Sequence, residues 1–289
     1  MASATSVVGL IATSVAVATL ALNSSFTRNA AAADEANAFV PAPPARVVNV
    51  VGEDFKFEAP DVIPAGLTEF RFLNKGPALH HMSVLKLTDG KTLEDLRAAL
   101  AKPGPLPRWA KESGGPNAPD PGREANATMT LEPGNYALIC FVDIGGPPHF
   151  AKGMVRALRV DPSNTPVATV IDADATLELF DYNFKLSAPI QAGKRTIRVT
   201  NTSSQAHEVE LIQLAPGVSV SDFMKWMQKM ETPPPAKALG GIAGMEPGLT
   251  EYFSADFEPG HYALICFVPD AKDGKPHFVH GMVHQLTVK

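Results

Sequence analysis

Cys140, His149 and Met154 stand in one short stretch of the chain, and Cys266, His277 and Met282 stand in another. The spacings are Cys–x8–His–x4–Met and Cys–x10–His–x4–Met, and these are the only two cysteines among 289 residues. One further histidine lies upstream of each set, His80 or His207, and these two are 127 residues apart. Each half therefore offers two imidazoles, one thiolate and one thioether. Thiolate and thioether favour Cu(I), and imidazole accepts both oxidation states. A trigonal His₂Cys plane with a weak axial Met is a copper geometry suited to single-electron exchange. Zinc could use the His and Cys groups, but a structural zinc site seldom recruits Met. One loop carrying Cys, His and Met wraps three sides of an ion, and a separate strand supplies the fourth ligand.

Plainer readings exist for each residue. A Cys in a strand is often a small buried hydrophobe, and Met154 and Met282 could be core. Retention of all four residue types in both copies favours metal binding over these. A disulfide would have to join equivalent positions of two repeats, and such positions rarely approach to the ~4.4–6.8 Å Cα separation a bridge needs. His81 has no matching His, since Glu208 stands there, and is expected to be exposed or to lie behind the ligands. His261 falls in a turn where the first repeat has Asn135. His280 and His284 face Lys152 and Arg156, and His280 is a spare donor that could replace His277.

The elements that must position these groups are themselves repeated. Glu132–Val142 and Glu258–Val268 agree at ten of eleven positions, and each contains its Cys. Asp54–Phe57 corresponds to Asp181–Phe184 at the same offset of 127 as the upstream histidines. The runs 68–73 and 196–200 alternate with period two and end in Asn74 and Asn201, which predicts strands. Strands are also predicted over 84–87, 127–131, 155–160, 211–214, 251–257 and 283–288. Thr92 with Asp95, and Ser219 with Asp222, each signal a capped helix start. The apolar faces would be Leu93, Leu96 and Leu100 in one helix and Val220, Phe223, Met227 and Met230 in the other. Met224, Met227 and Met230 are better read as helical core than as a soft metal box, because the leucine copy has the same spacing. The Gly- and Pro-rich stretches 102–122 and 232–248 are predicted to be long loops. The reading is all-β: two domains of short strands, 47–161 and 168–289, each with a short helical insertion.

Composition bounds the rest. A hydrophobic content of 45% with 19% charged residues fits packed domains, and the net charge of −5 without a Lys/Arg run argues against a nucleic-acid partner. The apolar run 7–22, followed by small residues up to 33, reads as a signal peptide or an N-terminal membrane anchor. The Ala/Pro-rich 34–46 reads as a linker. Both N-terminal readings place the rest of the chain in the periplasm or outside the cell.

At His80/His207 and the two Cys–His–Met loops the chain resembles the cupredoxin family, the blue type 1 copper proteins. The resemblance implies tandem Greek-key β-sandwiches, each holding one copper on His80, Cys140, His149 and Met154 or on His207, Cys266, His277 and Met282. The Cys-to-His loops are longer than in plastocyanin or azurin, and His81 or Glu208 replaces the Asn common after the first His. Linked cupredoxin domains of oxidases and nitrite reductases carry a His directly beside the type 1 Cys. Here the neighbours are Ile139, Phe141, Ile265 and Phe267. The resemblance therefore implies an electron carrier rather than an enzyme, with a redox partner such as a c-type cytochrome or a membrane electron-transfer complex. Docking is expected through Pro147, Pro148 and Phe150 around His149, and through Pro276 and Phe278. The alternatives are a copper-delivery protein, a structural module with empty sites, or a subunit of a copper oxidase.

Overall fold

The computed structural model describes residues 44–144, 146–164 and 171–289. The predicted signal peptide or anchor, 1–33, and most of the predicted linker lie outside them, as does Gly145. Among the described residues no helix is long and apolar enough to cross a membrane.

The first half of the chain builds a sandwich of two sheets. Strands β1 (Arg46–Glu53), β2 (Lys56–Glu58), β4 (Gly66–Asn74) and β7 (Glu124–Leu131) lie in one. Strands β3 (Val62–Pro64), β5 (Ser83–Leu87), β6 (Ala110–Glu112), β8 (Gly134–Ile139) and β9 (Val155–Asp161) form the other. The second half repeats the plan with β10 (Ala175–Phe180), β11 (Asn183–Leu186), β12 (Gly193–Asn201) and β15 (Thr250–Phe257) against β13 (His207–Leu214), β14 (Ala236–Met245), β16 (Gly260–Ile265) and β17 (Val283–Val288). Alternation along β4 is strict: Phe70 and Phe72 are buried, while Arg71 between them is exposed.

Strands β8 and β16 do not alternate, and the reason fixes the position of each Cys. Tyr136, Leu138 and Cys140 point into the sandwich core, with Val50, Phe72 and Met154. Ala137 and Ile139 point out, under helix α1 (Leu93–Leu100), where they meet Leu85 and Leu96. A strand covered on both faces reads as a continuous apolar run. In the second domain Tyr262, Leu264 and Cys266 face the core, and Ala263 and Ile265 face Phe223 of α2 (Val220–Met227). Both helices start in complete capping boxes, Thr92 with Asp95 and Ser219 with Asp222. Met224 and Met227 pack into this outer cluster, whereas Met230 lies beyond the helix end and is exposed. The Glu–Pro–Gly turns are tied by tyrosines: Tyr136 donates to the Glu132 carbonyl at 3.0 Å and Tyr262 to that of Glu258 at 2.8 Å.

The stretches expected to be long loops instead join the domains. β14 fills most of 232–248, and segment 113–119 runs antiparallel beside it, with bridges Ser113–Met245, Pro116–Ile242 and Pro119–Leu239. Gly240 and Gly241 sit at φ 98° and 122°, and the register of β14 against β13 shifts nearby. Glycines that supply an irregular strand look like loop residues in sequence. The two domains also share one eight-stranded sheet, ordered β11-β10-β12-β15-β7-β4-β1-β2. At its centre Tyr252 pairs with Thr128, and the Asn126 side chain continues the ladder. Its amide donates to the Ser254 carbonyl at 2.7 Å, and its oxygen accepts from the Ser254 N–H at 2.8 Å.

Candidate metal centres

Each Cys ends an apolar strand, so its side-chain direction follows from strand parity. The following loop returns to that strand through four backbone bonds. In the first domain the His149 N–H donates to Val142 O at 2.9 Å and the Phe150 N–H to Cys140 O at 2.9 Å; Met154 N–H reaches His149 O at 3.0 Å and Cys140 N–H reaches Met154 O at 3.1 Å. The second domain keeps all four: His277 to Val268, Phe278 to Cys266, Met282 to His277 and Cys266 to Met282, at 2.9–3.2 Å. The two extra residues of its loop are absorbed outside this frame, in a turn closed by the Pro269–Pro276 bridge.

The donors converge. His80 and His149 bring their Nδ1 atoms to 2.9 Å from each other, with His149 Nδ1 3.5 Å from Cys140 Sγ. His207 and His277 repeat the 2.9 Å approach, and Cys266 Sγ lies 3.3 Å from His277 Nδ1 and 3.8 Å from His207 Nδ1. All six side chains are buried, and in each trio the ligand atoms lie within 4.8 Å of one another. Met154 and Met282 are fully buried in the same cores as their cysteines. Both cysteines are free thiols.

Two carboxylates hold the upstream imidazoles: Asp54 lies 2.6 Å from His80 Nε2, and Asp181 lies 3.3 Å from His207 Nε2. A proton on Nε2, donated to the carboxylate, leaves Nδ1 free to ligate and fixes the orientation of the ring. Sequence reasoning singled out the Asp54 and Asp181 stretches as repeats but not as partners of the histidines. The signal was present, because Asp54/Asp181 and His80/His207 share the offset of 127.

Burial keeps the donors neutral. Burial pushes the Cys140 thiol up to about 12 and raises Cys266 well above its ordinary value. Burial and the neighbouring His80 lower His149, and burial and His207 push His277 down to about 4. His207 is lowered by burial against the opposing pull of Asp181. Neutral imidazoles are ready ligands, and a buried thiol ionises only where a bound cation replaces its proton. The set of two imidazole nitrogens, one thiol and a nearby thioether fits copper. Each domain thus holds one such donor set inside a β-sandwich.

No family model and no curated protein matches the chain. Solved structures do. An auracyanin from Roseiflexus castenholzii is 19% identical over 42% of this chain and 100% of its own, with a TM-score of 0.28. A copper nitrite reductase from Nitrosomonas europaea is 13% identical over 85% of this chain and 94% of its own, with a TM-score of 0.24. A multicopper oxidase is 12% identical over 84% and 88%, with a TM-score of 0.24.

The remaining predicted residues fall as follows. His280 is exposed and pairs with Asp273 at 3.2 Å, so His277 rather than His280 joins His207 and Cys266. Asp270, Asp273 and His280 also group within 4.8 Å, in a turn where Asp270 accepts from Lys272, Asp273, Tyr182 and Gln205. His261 contacts Thr287 at the surface, and His284 is half-buried on β17. Phe150 packs edge-on against Phe141, and Phe278 against Phe267, so both are half-buried under the helices. Pro147 is exposed, and Pro148 and Pro276 are half-buried. The most exposed apolar side chains near the loops are Ile144 at 54% and Val279 at 55%, which sequence reasoning passed over. His81 is neither exposed nor opposite an unrelated residue. Its Nε2 accepts the Phe141 N–H at 2.8 Å, and the Glu208 carboxylate accepts the Phe267 N–H at the same distance.

Proposed function

We propose that this protein is an exported single-electron carrier with one type 1-like copper per domain. The observation that carries the reading is the twin convergence of two imidazole Nδ1 atoms and one buried thiol, each beside a buried Met. His80, Cys140, His149 and Met154 would hold one ion, and His207, Cys266, His277 and Met282 the other. Bound copper supplies reversible exchange of one electron. The chain's contribution is rigidity: four backbone bonds fix each loop, and Asp54 and Asp181 fix the upstream imidazoles.

An electron carrier needs a surface for brief contact. Ile144, Pro147, Pro148 and Phe150 around His149, and Pro276, Phe278 and Val279 around His277, would supply small apolar docking patches, a size that suits transient redox encounters. Ile139, Phe141, Ile265 and Phe267 beside the cysteines offer no ligand to a second metal, which favours a carrier over an oxidase. The test is copper-loaded protein mixed with a c-type cytochrome. Reversible electron exchange, with no steady turnover of oxygen or nitrite, is expected. Sustained turnover of either would overturn the carrier reading.

A further inference from the structure

The seam between the domains contains polar side chains that neither site uses directly. His81 is 7% exposed, Asn117 3% and Glu208 6%. His81 and Glu208 occupy equivalent places, one residue beyond the upstream ligands His80 and His207. Each holds its own cysteine strand. The His81 imidazole accepts the N–H of Phe141, the residue after Cys140. The Glu208 main-chain N–H donates to Cys266 Sγ at 3.4 Å, and its carboxylate accepts the N–H of Phe267.

Asn117 connects them. His81 Nε2 is occupied as an acceptor, so the ring proton sits on Nδ1 and is donated to Asn117 Oδ1 at 3.3 Å. Asn117 Oδ1 also accepts the Ala118 N–H, which fixes the amide orientation. Its Nδ2 then donates to Glu208 Oε2 at 3.4 Å, sharing with the carbonyls of Val209 and Ile242. Each link of the bridge thus pairs a donor with an acceptor, and the Ala118 N–H is shared with Glu210 Oε2 at 3.2 Å. The result is a continuous path: Phe141 N–H, His81, Asn117, Glu208, Phe267 N–H. Its ends lie on the residues that follow the two cysteines. Buried polar chains of this kind polarise along their length, and a fully satisfied one has a single arrangement.

We propose that His81, Asn117 and Glu208 couple the two metal sites, so that filling one raises the affinity of the other. The inference rests on the metal-binding reading above. Conversion of the Cys266 thiol to a metal-bound thiolate makes it a stronger acceptor for the Glu208 N–H, which already lies 3.4 Å from the sulfur. Glu208 is thereby held more tightly, and it positions Asn117 and then His81. The other site then forms around a partner already ordered, so less conformational freedom is lost on the second binding event. Reciprocity requires the same factor in the other direction.

The probe is Zn(II), followed by calorimetry on the full chain. Cys140→Ser and Cys266→Ser give the affinity of each site alone. In the unsubstituted protein the product of the two binding constants is expected to exceed the product of the single-site constants by about fivefold or more, the lower range of common coupling. Asn117→Leu keeps the volume and removes the connection, so the excess is expected to vanish while each single-site affinity remains. A second measurement needs no change at the bridge. In Cys266→Ser protein only the first site fills, and the amide resonance of Phe267 across the seam is expected to move on Zn(II) addition. Equal products with an unmoved Phe267 resonance would overturn the coupling, as would coupling that survives Asn117→Leu. Absence of Zn(II) binding to both single-site variants would remove the metal reading, and this inference with it. Independent binding at both sites would remove the inference alone.

Discussion

His277 Nε2 is buried 3.6 Å from the Asp270 carboxylate and has no hydrogen-bond partner among the described residues. Tyr182 stacks edge-on against the same imidazole and donates to Asp270 at 2.5 Å. In the first domain Phe55 takes the place of Tyr182, its ring 4.9 Å from His149, with the Lys152 ammonium 4.4 Å from the ring centroid. The two sites therefore share ligands and differ in charge around the downstream His.

That difference gives the first prediction. The Tyr182 hydroxyl and the Lys272 N–H hold the Asp270 carboxyl well below the usual carboxylate range, so it stays charged. A negative charge beside a ligand imidazole raises ligand basicity and stabilises the more positive oxidised metal. The second site is expected to have the lower reduction potential. Asp270→Asn should raise it and leave the first site unchanged, as read by spectroelectrochemical titration of each single-site variant.

Asp54 provides the second. It is the only side chain bonded to His80 Nε2 among the described residues. Loss of a carboxylate that orients a ligand imidazole typically costs about 10–100-fold in metal affinity. Asp54→Ala is expected to weaken the first site by that order and to spare the second, measured by competition with a chelator. Asp181→Ala should do the reverse.

The third concerns pH. Glu251 is 2% exposed, and its carboxylate accepts one bond, from the Gly115 N–H at 3.3 Å across the seam. Burial raises its pKa well above the ordinary value, and Glu210 is raised by burial and by Glu208. A carboxyl raised in the folded state gives stability that is complete below its unfolded pKa and is lost as pH rises through the folded one. The buried histidines act oppositely, but His81 and His277, near 4, finish their contribution once pH exceeds the unfolded value of 6.5. Between pH 6.5 and 8 the carboxyls dominate, and metal-free protein is expected to lose urea resistance as pH rises. Glu251→Gln should flatten that slope, which for one group is at most about 1.4 kcal/mol per pH unit.

The seam gives a fourth. Gly241 sits at φ 122°, and a Cβ there would run into the Val209 carbonyl. Gly241→Ala is expected to destabilise the protein by more than about 1 kcal/mol, the usual scale for Ala at an incompatible φ. Its denaturation midpoint should fall relative to Gly217→Ala; Gly217 also has a positive φ, of 77°, but open space around it.

The legible part of this fold was local. The apolar run Tyr136–Cys140, the Thr92 and Ser219 caps and the 127-residue offset of His80 and His207 are written in adjacent or regularly spaced residues. The seam was not legible. One paired residue, Tyr252 with Thr128, and one amide side chain, Asn126, carry the shared sheet across the boundary, and no periodicity marks either. Segment 113–119 and Gly240–Gly241 look like loop in sequence because their prolines and glycines serve an irregular contact rather than a regular strand. His81 and Glu208 differ in residue type but fill one role, so a search for identical residues between repeats separates them.

The most direct test of the account is copper titration of the purified protein, followed by visible absorption. Two Cu(II) ions per chain should bind and give a thiolate-to-copper charge-transfer band with contributions from Cys140 and Cys266. Cys140→Ser should remove one contribution and leave the other, and His80→Ala should weaken only the first site. One ion per chain, or loss of both contributions in Cys140→Ser, would contradict two separate centres. Bound Cu(II) without any thiolate band would contradict the copper geometry itself.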